Sequence, residues 1–168
     1  MSGGRLSDEA RKTILANDRG GYTVPTARLY PFQWNWDSAF VAMGFATFDE
    51  DRAFDEIDSL LKGQWANGLV PHIVFHAPSE DYFPGPDVWK TNQPLPSSGI
   101  TQPPVLASAA WFLHHTARNR RLANERLATI YQGLLRYHRW WREARDPKGT
   151  GLVATLHPWE TGADNSPA

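Results

Sequence analysis

The sequence predicts an all-α chain of antiparallel helical hairpins, arranged as a bundle or a closed toroid. Three observations lead there. Apolar residues recur at helical spacing in several separate stretches. The connections between those stretches are of two kinds, one short and hairpin-like, the other long, aromatic and polar. No internal repeat is visible, which disfavours a regular solenoid.

The first helix is expected from Leu6 to Asp18. Ser7 is a candidate cap, Asp8 and Glu9 suit a first turn, and Gly20-Gly21 stops the helix. A loop broken by Pro25 and Pro31 leads to a short apolar helix, Asp37 to Phe48, with Phe40, Met43 and Gly44 on one side. A third helix, Asp49 to Lys62, has Asp49 as cap and a stripe of Ala53, Ile57, Leu60 and Leu61. Gly63 would end it in a left-handed conformation. The segment from Trp65 to Gln102 is rich in Pro and Gly with little periodicity, and its Trp, Tyr, Phe, Val and Ile content argues against disorder. A fourth helix is expected to start at Pro103-Pro104 and run to Arg118, with Leu106, Ala109, Ala110, Leu113 and Ala117 inward. A fifth, Leu122 to Arg145, carries Leu127, Ile130, Tyr131, Leu134, His138 and Trp141 as its stripe. The tail from Asp146 reads as loop.

Composition narrows the function. A net charge of -1 leaves no basic excess for phosphates, so nucleic acid is not an expected partner. The absence of cysteine excludes disulfides and thiolate metal sites and fits a reducing cytoplasm. No apolar run reaches the ~20 residues of a membrane span, and the N-terminal stretch lacks the features of a secretion signal, so a soluble cytoplasmic protein is expected. His72 and His76 are four apart, but Gly68 and Pro71 argue against a helix there, and neither a zinc motif nor a phosphate loop is present; no metal or cofactor is expected. Aromatic residues make up 12% of the chain. They fill a core, or they form a platform for a flat, half-apolar ligand such as a sugar ring. Trp34, Trp36, Trp65, Trp89 and Trp159 lie in or beside loops, where aromatics more often serve sites.

Three blocks bear candidate chemistry. In Gln33-Trp34-Asn35-Trp36-Asp37-Ser38, Asp37 is either a helix cap or a carboxylate that accepts two vicinal sugar hydroxyls. In the Pro96-to-Pro104 block, Thr101 or Gln102 either satisfies orphan backbone groups at a helix start or, for Gln102, reaches a ligand with its amide. In the block from His157 to Pro167, Glu160 and Asp164 are two carboxylates four residues apart. A loop of this kind can raise a carboxyl pKa as a general acid requires, with a local Asx turn at Asp164 as the competing account.

At these blocks the chain resembles the glycoside hydrolase family 63 clan, most closely the bacterial mannosylglycerate and glucosylglycerate hydrolases. The matching stretches are QWNWDSAF, GQWANGLVPHIVF, YFPGPDVW, SSGITQPP and HPWETGADNSP, in order over about residues 22 to 168. The resemblance implies an (α/α)6 toroid with its active site where the long loops meet, and inverting hydrolysis of an α-glycosidic bond in a small carbohydrate. It implies Asp164 as general acid, and Tyr30, Trp34, Trp36, Asp37, Gln102, Trp159 and Gly162, with Tyr82, as sugar-binding residues. It implies that 1–168 is the N-terminal portion of one catalytic domain, that the general base is a Glu further along, and that this portion alone is inactive. The other readings are a non-catalytic carbohydrate-binding helical protein and a different toroid hydrolase, trehalase-like or glucoamylase-like.

Overall fold

The structure, a computed structural model, describes residues 2–78 and 82–163. It is mostly helical, with one small sheet that the periodicity did not announce. Helix α1 spans Ser2–Asn17, strand β1 Gln33–Trp34, α2 Asn35–Phe45 and α3 Glu50–Leu61. Strand β2 is Ile73–Val74, and α4 is a single turn, Pro86–Trp89. Helices α5, Leu106–Thr116, and α6, Arg120–Arg145, follow, and a 3-10 turn, Pro158–Thr161, closes the described chain.

Helices α2 and α3 form one hairpin and α5 and α6 another, with α2 packed on α5 and α3 on α6. Short connections, residues 46–49 and 117–119, lie together at one end. There Glu50 joins the hairpins: Arg118 donates to it through Nε and backbone N–H, and Asn119 through its N–H. The Arg118 side chain and these N–H groups hold the Glu50 carboxyl down to about 2. The long connections therefore gather at the opposite end, at the N-termini of α2 and α5 and the C-termini of α3 and α6. The core between the helices includes Phe45, Phe54, Ile57, Leu60, Leu106, Leu113, Ile130, Tyr137 and Trp141.

Several expectations change at this level. Helix α1 begins at Ser2, so Ser7 lies inside it and is not its cap. It ends at Asn17, one residue before the expected Asp18, and the chain turns at Gly20 and Gly21 with φ of 78° and 144°. Asp49 caps α3, accepting from the Arg52 N–H at 3.1 Å. Gly63 is not left-handed; a Cβ there would stand 2.5 Å from Val74 Cγ2, so it is the close approach of β2 that requires glycine. Pro103 and Pro104 precede α5, because a proline pushes its predecessor out of helical geometry. On α6 the buried face carries Ile130, Leu134, Tyr137, Trp140 and Trp141, whereas Tyr131 and His138 are exposed. Ile130, Leu134 and Trp141 are buried as expected and Leu127 is partly so; aromatics stand on both sides of α6, and periodicity alone chose Tyr131 and His138 where Tyr137 and Trp140 face inward. Across α5 and α6, Trp111 and Tyr131 remain 64% and 53% exposed beside an apolar groove of about 310 Å3. No helix among the described residues is long and apolar enough to cross a membrane.

Backbone pairing positions the described parts of residues 65–102. Strand β2 pairs antiparallel with β1, Gln33 opposite Val74 and Trp34 opposite Ile73. On its other side the His72 N–H donates to Ile100 O, Phe75 N–H to Pro96 O, and Ser98 N–H to Ile73 O. Too short for periodicity to show, these contacts seat a second core of Phe32, Trp34, Ile73 and Phe75.

Beneath β1 lies the buried carboxylate of Glu56. Its Oε1 accepts from Thr23 N–H, Gln33 Nε2 and Ser38 Oγ at 3.2, 3.0 and 2.8 Å. Its Oε2 accepts from Thr23 Oγ1 and Arg52 Nη2, both at 2.8 Å. Arg52 also pairs with Asp18 and lies over the Phe45 ring. Breaking a buried ion pair from one side leaves its partner uncompensated. Glu56→Ala is expected to lower the unfolding free energy by about 3–5 kcal/mol in urea titrations, against less than about 0.5 kcal/mol for an exposed control such as Glu125→Ala.

Candidate active site

The long-loop end brings most of the predicted residues together, and the sequence around each explains how. Trp34 ends β1, and its N-terminal neighbour Gln33 is tied to Glu56; the Gln33 Oε1 accepts from His76 Nε2 at 2.7 Å. With β1 fixed, the buried Trp34 ring becomes the centre of an aromatic wall. Tyr30 and Tyr82 meet it edge-on at 5.3 and 5.2 Å, and Phe32 and His72 stand at 6.2 Å. Edge-to-face packing of this kind orients rings as well as burying them. Tyr30 is 47% exposed, so one end of the wall opens to solvent.

Asn35, between the two tryptophans, is structural. Its Nδ2 donates to Val70 O and to Tyr137 Oη, each at 3.2 Å. Tyr137, buried in α6, donates to Gln102 O at 2.8 Å and shares a 2.6 Å hydrogen bond with Thr101 Oγ1. One hydroxyl thus sets the spacing between the first and second sequence blocks. Burial pushes the Tyr137 phenol above its ordinary value, so it remains protonated and a donor.

Gln102 has a role the sequence left open. Its Oε1 accepts from the Trp36 N–H at 3.2 Å, so it satisfies an orphan donor at the start of α2 rather than of α5. Asp37 is not the cap: Trp34 holds that position, and Asp37 sits half-buried in the first turn of α2. The half-buried Trp36 ring meets Phe40 at 5.9 Å and abuts Gly162. Gly162 is left-handed at φ 73°, and a Cβ on it would lie 3.0 Å from Trp36 Cη2 and 3.2 Å from Pro103 Cγ. Both the turn and the contact require glycine.

Trp159, in the 3-10 turn, faces His72 with ring centroids 5.5 Å apart and His157 at 4.9 Å. The wall therefore runs from Tyr30 through Trp34 and His72 to Trp159. Glu160 is buried and bound to Arg145 through both oxygens. Burial raises its carboxyl pKa, but Arg145 and backbone N–H donors outweigh this and hold it below the ordinary value. A carboxyl kept ionised has no proton to give, so Glu160 is unsuited to general acid work. Asp164, the expected acid, lies outside the described residues, which end one residue before it. Among the described residues, no group of three or more His, Asp or Glu side chains is placed to hold a metal ion.

His72, Tyr137 and Arg145 were not singled out for the site. The signal for His72 was a polar residue within the apolar run Leu69–Phe75; the other two sit on α6, far away in sequence. His72 is 3% exposed, and its Nδ1 has no hydrogen-bond partner among the described residues. Burial, aided by His157, pushes its imidazole down to about 3. An unfolded chain takes up a proton at ordinary histidine pKa while the folded ring refuses it, so stability is full above pH 6.5 and falls as pH drops toward 3. Between pH 7 and 5 this one group costs about 2 kcal/mol, and His72→Phe is expected to lose that much less stability over the same interval by urea unfolding.

Known proteins share this arrangement. Residues 30–168 match the model of the mannosylglycerate hydrolase MGH1-like glycoside hydrolase domain. A mannosylglycerate hydrolase of Selaginella moellendorffii is 54% identical over 162 residues, 96% of this chain and 33% of that protein. A glucosylglycerate hydrolase of Mycolicibacterium hassiacum is 42% identical, across 97% of this chain and 39% of that protein. The crystal structure of the family 63 mannosylglycerate hydrolase of Thermus thermophilus in complex with Tris superposes with a TM-score of 0.92 at 49% identity, covering 96% of this chain and 39% of that one. The chain spans between a third and two fifths of the length of these relatives. With the family model matching most of its length, the chain belongs to the mannosylglycerate hydrolase MGH1-like glycoside hydrolases of family 63.

Proposed function

We propose that this chain supplies the acid-bearing part of an inverting glycoside hydrolase acting on an α-glycoside of glycerate, mannosylglycerate or glucosylglycerate. The observation that carries the reading is the convergence, at one end of two helical hairpins, of Tyr30, Trp34, Trp36, Asp37, Tyr82, Gln102, Trp159 and Gly162. An aromatic wall, with a carboxylate in the first turn of the helix that follows Trp34, suits a sugar ring, whose faces are half-apolar and whose edges carry hydroxyls. Asp37 takes two vicinal hydroxyls in charge-assisted hydrogen bonds. The relatives named mannosylglycerate and glucosylglycerate hydrolases support glycerate as the leaving group.

In this reading Asp164, protonated, gives its proton to the glycosidic oxygen. A Glu in the part of the fold that this chain does not span activates a water on the opposite face of the sugar. The two hairpins are consecutive units of an (α/α)6 toroid forming one domain, and the exposed flank of Trp111 and Tyr131 is where the next hairpin packs. The protein works in the cytoplasm without cofactor, metal or nucleic acid.

The test uses a polypeptide that joins this chain to the base-bearing part. Asp164→Asn is expected to lower kcat by about 10^2–10^4-fold on glycerate glycosides while the affinity for substrate changes by less than about threefold. Retained turnover would remove Asp164 from the role. Sugar binding without turnover in the unmodified protein would favour a binding module, and a preference for trehalose or oligosaccharides would favour another toroid hydrolase. The 168-residue chain alone is expected to release no glycerate from either compound.

A further inference from the structure

We infer that Glu160 and Arg145 form a clasp that positions the loop from Asp146 to Ala163 in the site, with Glu160 acting through its neighbours and not on substrate. The inference rests on reading Trp36, Trp159 and Gly162 as sugar-binding residues. Leu152 and Leu156 are 79% and 72% exposed and do not pin the loop to the helices. Besides the pair, the Ala154 N–H donates to Arg145 O, Trp159 meets His72 and Gly162 abuts Trp36. Glu160 is the buried residue of this loop, and it is a carboxylate.

A carboxylate removed from water must be fully paired. Arg145, the last residue of α6, donates from Nη2 to Oε1 at 2.5 Å and from Nε to Oε2 at 3.2 Å. Leu156 N–H donates to Oε2 at 2.8 Å. The Arg145 guanidinium lies 4.5 Å above the Trp140 ring, so its own plane is set. One side chain thus ties the end of α6 to the loop at both Leu156 and Glu160. The two residues that reach the site flank it: Trp159 against His72, and Gly162 against Trp36 and Pro103. A fork-shaped cation is needed here, since a lysine reaches only one carboxylate oxygen at a time.

The experiment uses the 168-residue chain and Glu160→Gln, which keeps the shape and turns an N–H toward Arg145. In the unmodified protein the Gly162 proton resonances are expected to be displaced by the ring current of Trp36. In the variant they are expected to move to their unstructured positions, amide exchange of residues 156–162 to rise at least tenfold, and affinity for glucose or mannose to fall at least tenfold, with exchange in α2, α3, α5 and α6 unchanged. Arg145→Lys is expected to give an intermediate shift and serves as the readout if Glu160→Gln fails to fold. Gly162 resonances that stay displaced in both variants overturn the clasp. Loss of protection across the helices in both variants also overturns it, because the pair then supports the whole fold and not the loop. If the unmodified chain binds neither sugar, the sugar-binding reading falls, and the Gly162 resonances still decide the clasp.

Discussion

A carboxylate with no route to water must be surrounded by donors, and much of this structure is arranged to supply them to Glu56. Thr23 comes from the turn after α1, Gln33 and Ser38 from either side of the α2 start, and Arg52 from the preceding turn of its own helix. Because these donors come from separate segments, meeting them all fixes where β1 begins and how α2 leaves it. Trp34 and Trp36 take their positions from that start. The aromatic wall is therefore held by a polar hub behind it as well as by ring packing.

The same logic recurs at a smaller scale. Tyr137 joins Asn35, Thr101 and Gln102 through one hydroxyl. Gln102 caps a helix far from it in sequence. Arg145 satisfies Glu160. In each case a buried polar group is completed by a segment apart from it in sequence, so the long-loop end is held by hydrogen bonds that leave few alternatives. A site that must orient hydroxyls benefits from such walls, since polar groups that do not reorganise bind a fixed geometry more strongly than mobile ones.

How much of this was legible varies with the kind of signal. The helices were readable because burial on one side imposes a period on the chain, and Asp49 and Gly20-Gly21 marked ends through chemistry that acts locally. The α6 face was misread because Tyr131 and His138 offer a second aromatic side and only the packing partner selects between them. Strands β1 and β2 are two residues each, too short for alternation to register. Among site residues, the loop tryptophans stood out by type and place. Glu160 was read as a possible acid because nothing in its neighbourhood announces Arg145, fifteen residues earlier at the end of a helix.

The sequence by itself determined the helical class, the long aromatic loops at one end and the family, because residue type and short-range spacing encode these. Tertiary structure alone decided which carboxylate is buried and ionised, which amide caps which helix and which α6 face is inward. Those outcomes depend on groups that meet only when distant segments fold together, and a buried group's charge and role follow from its partners rather than from its own identity.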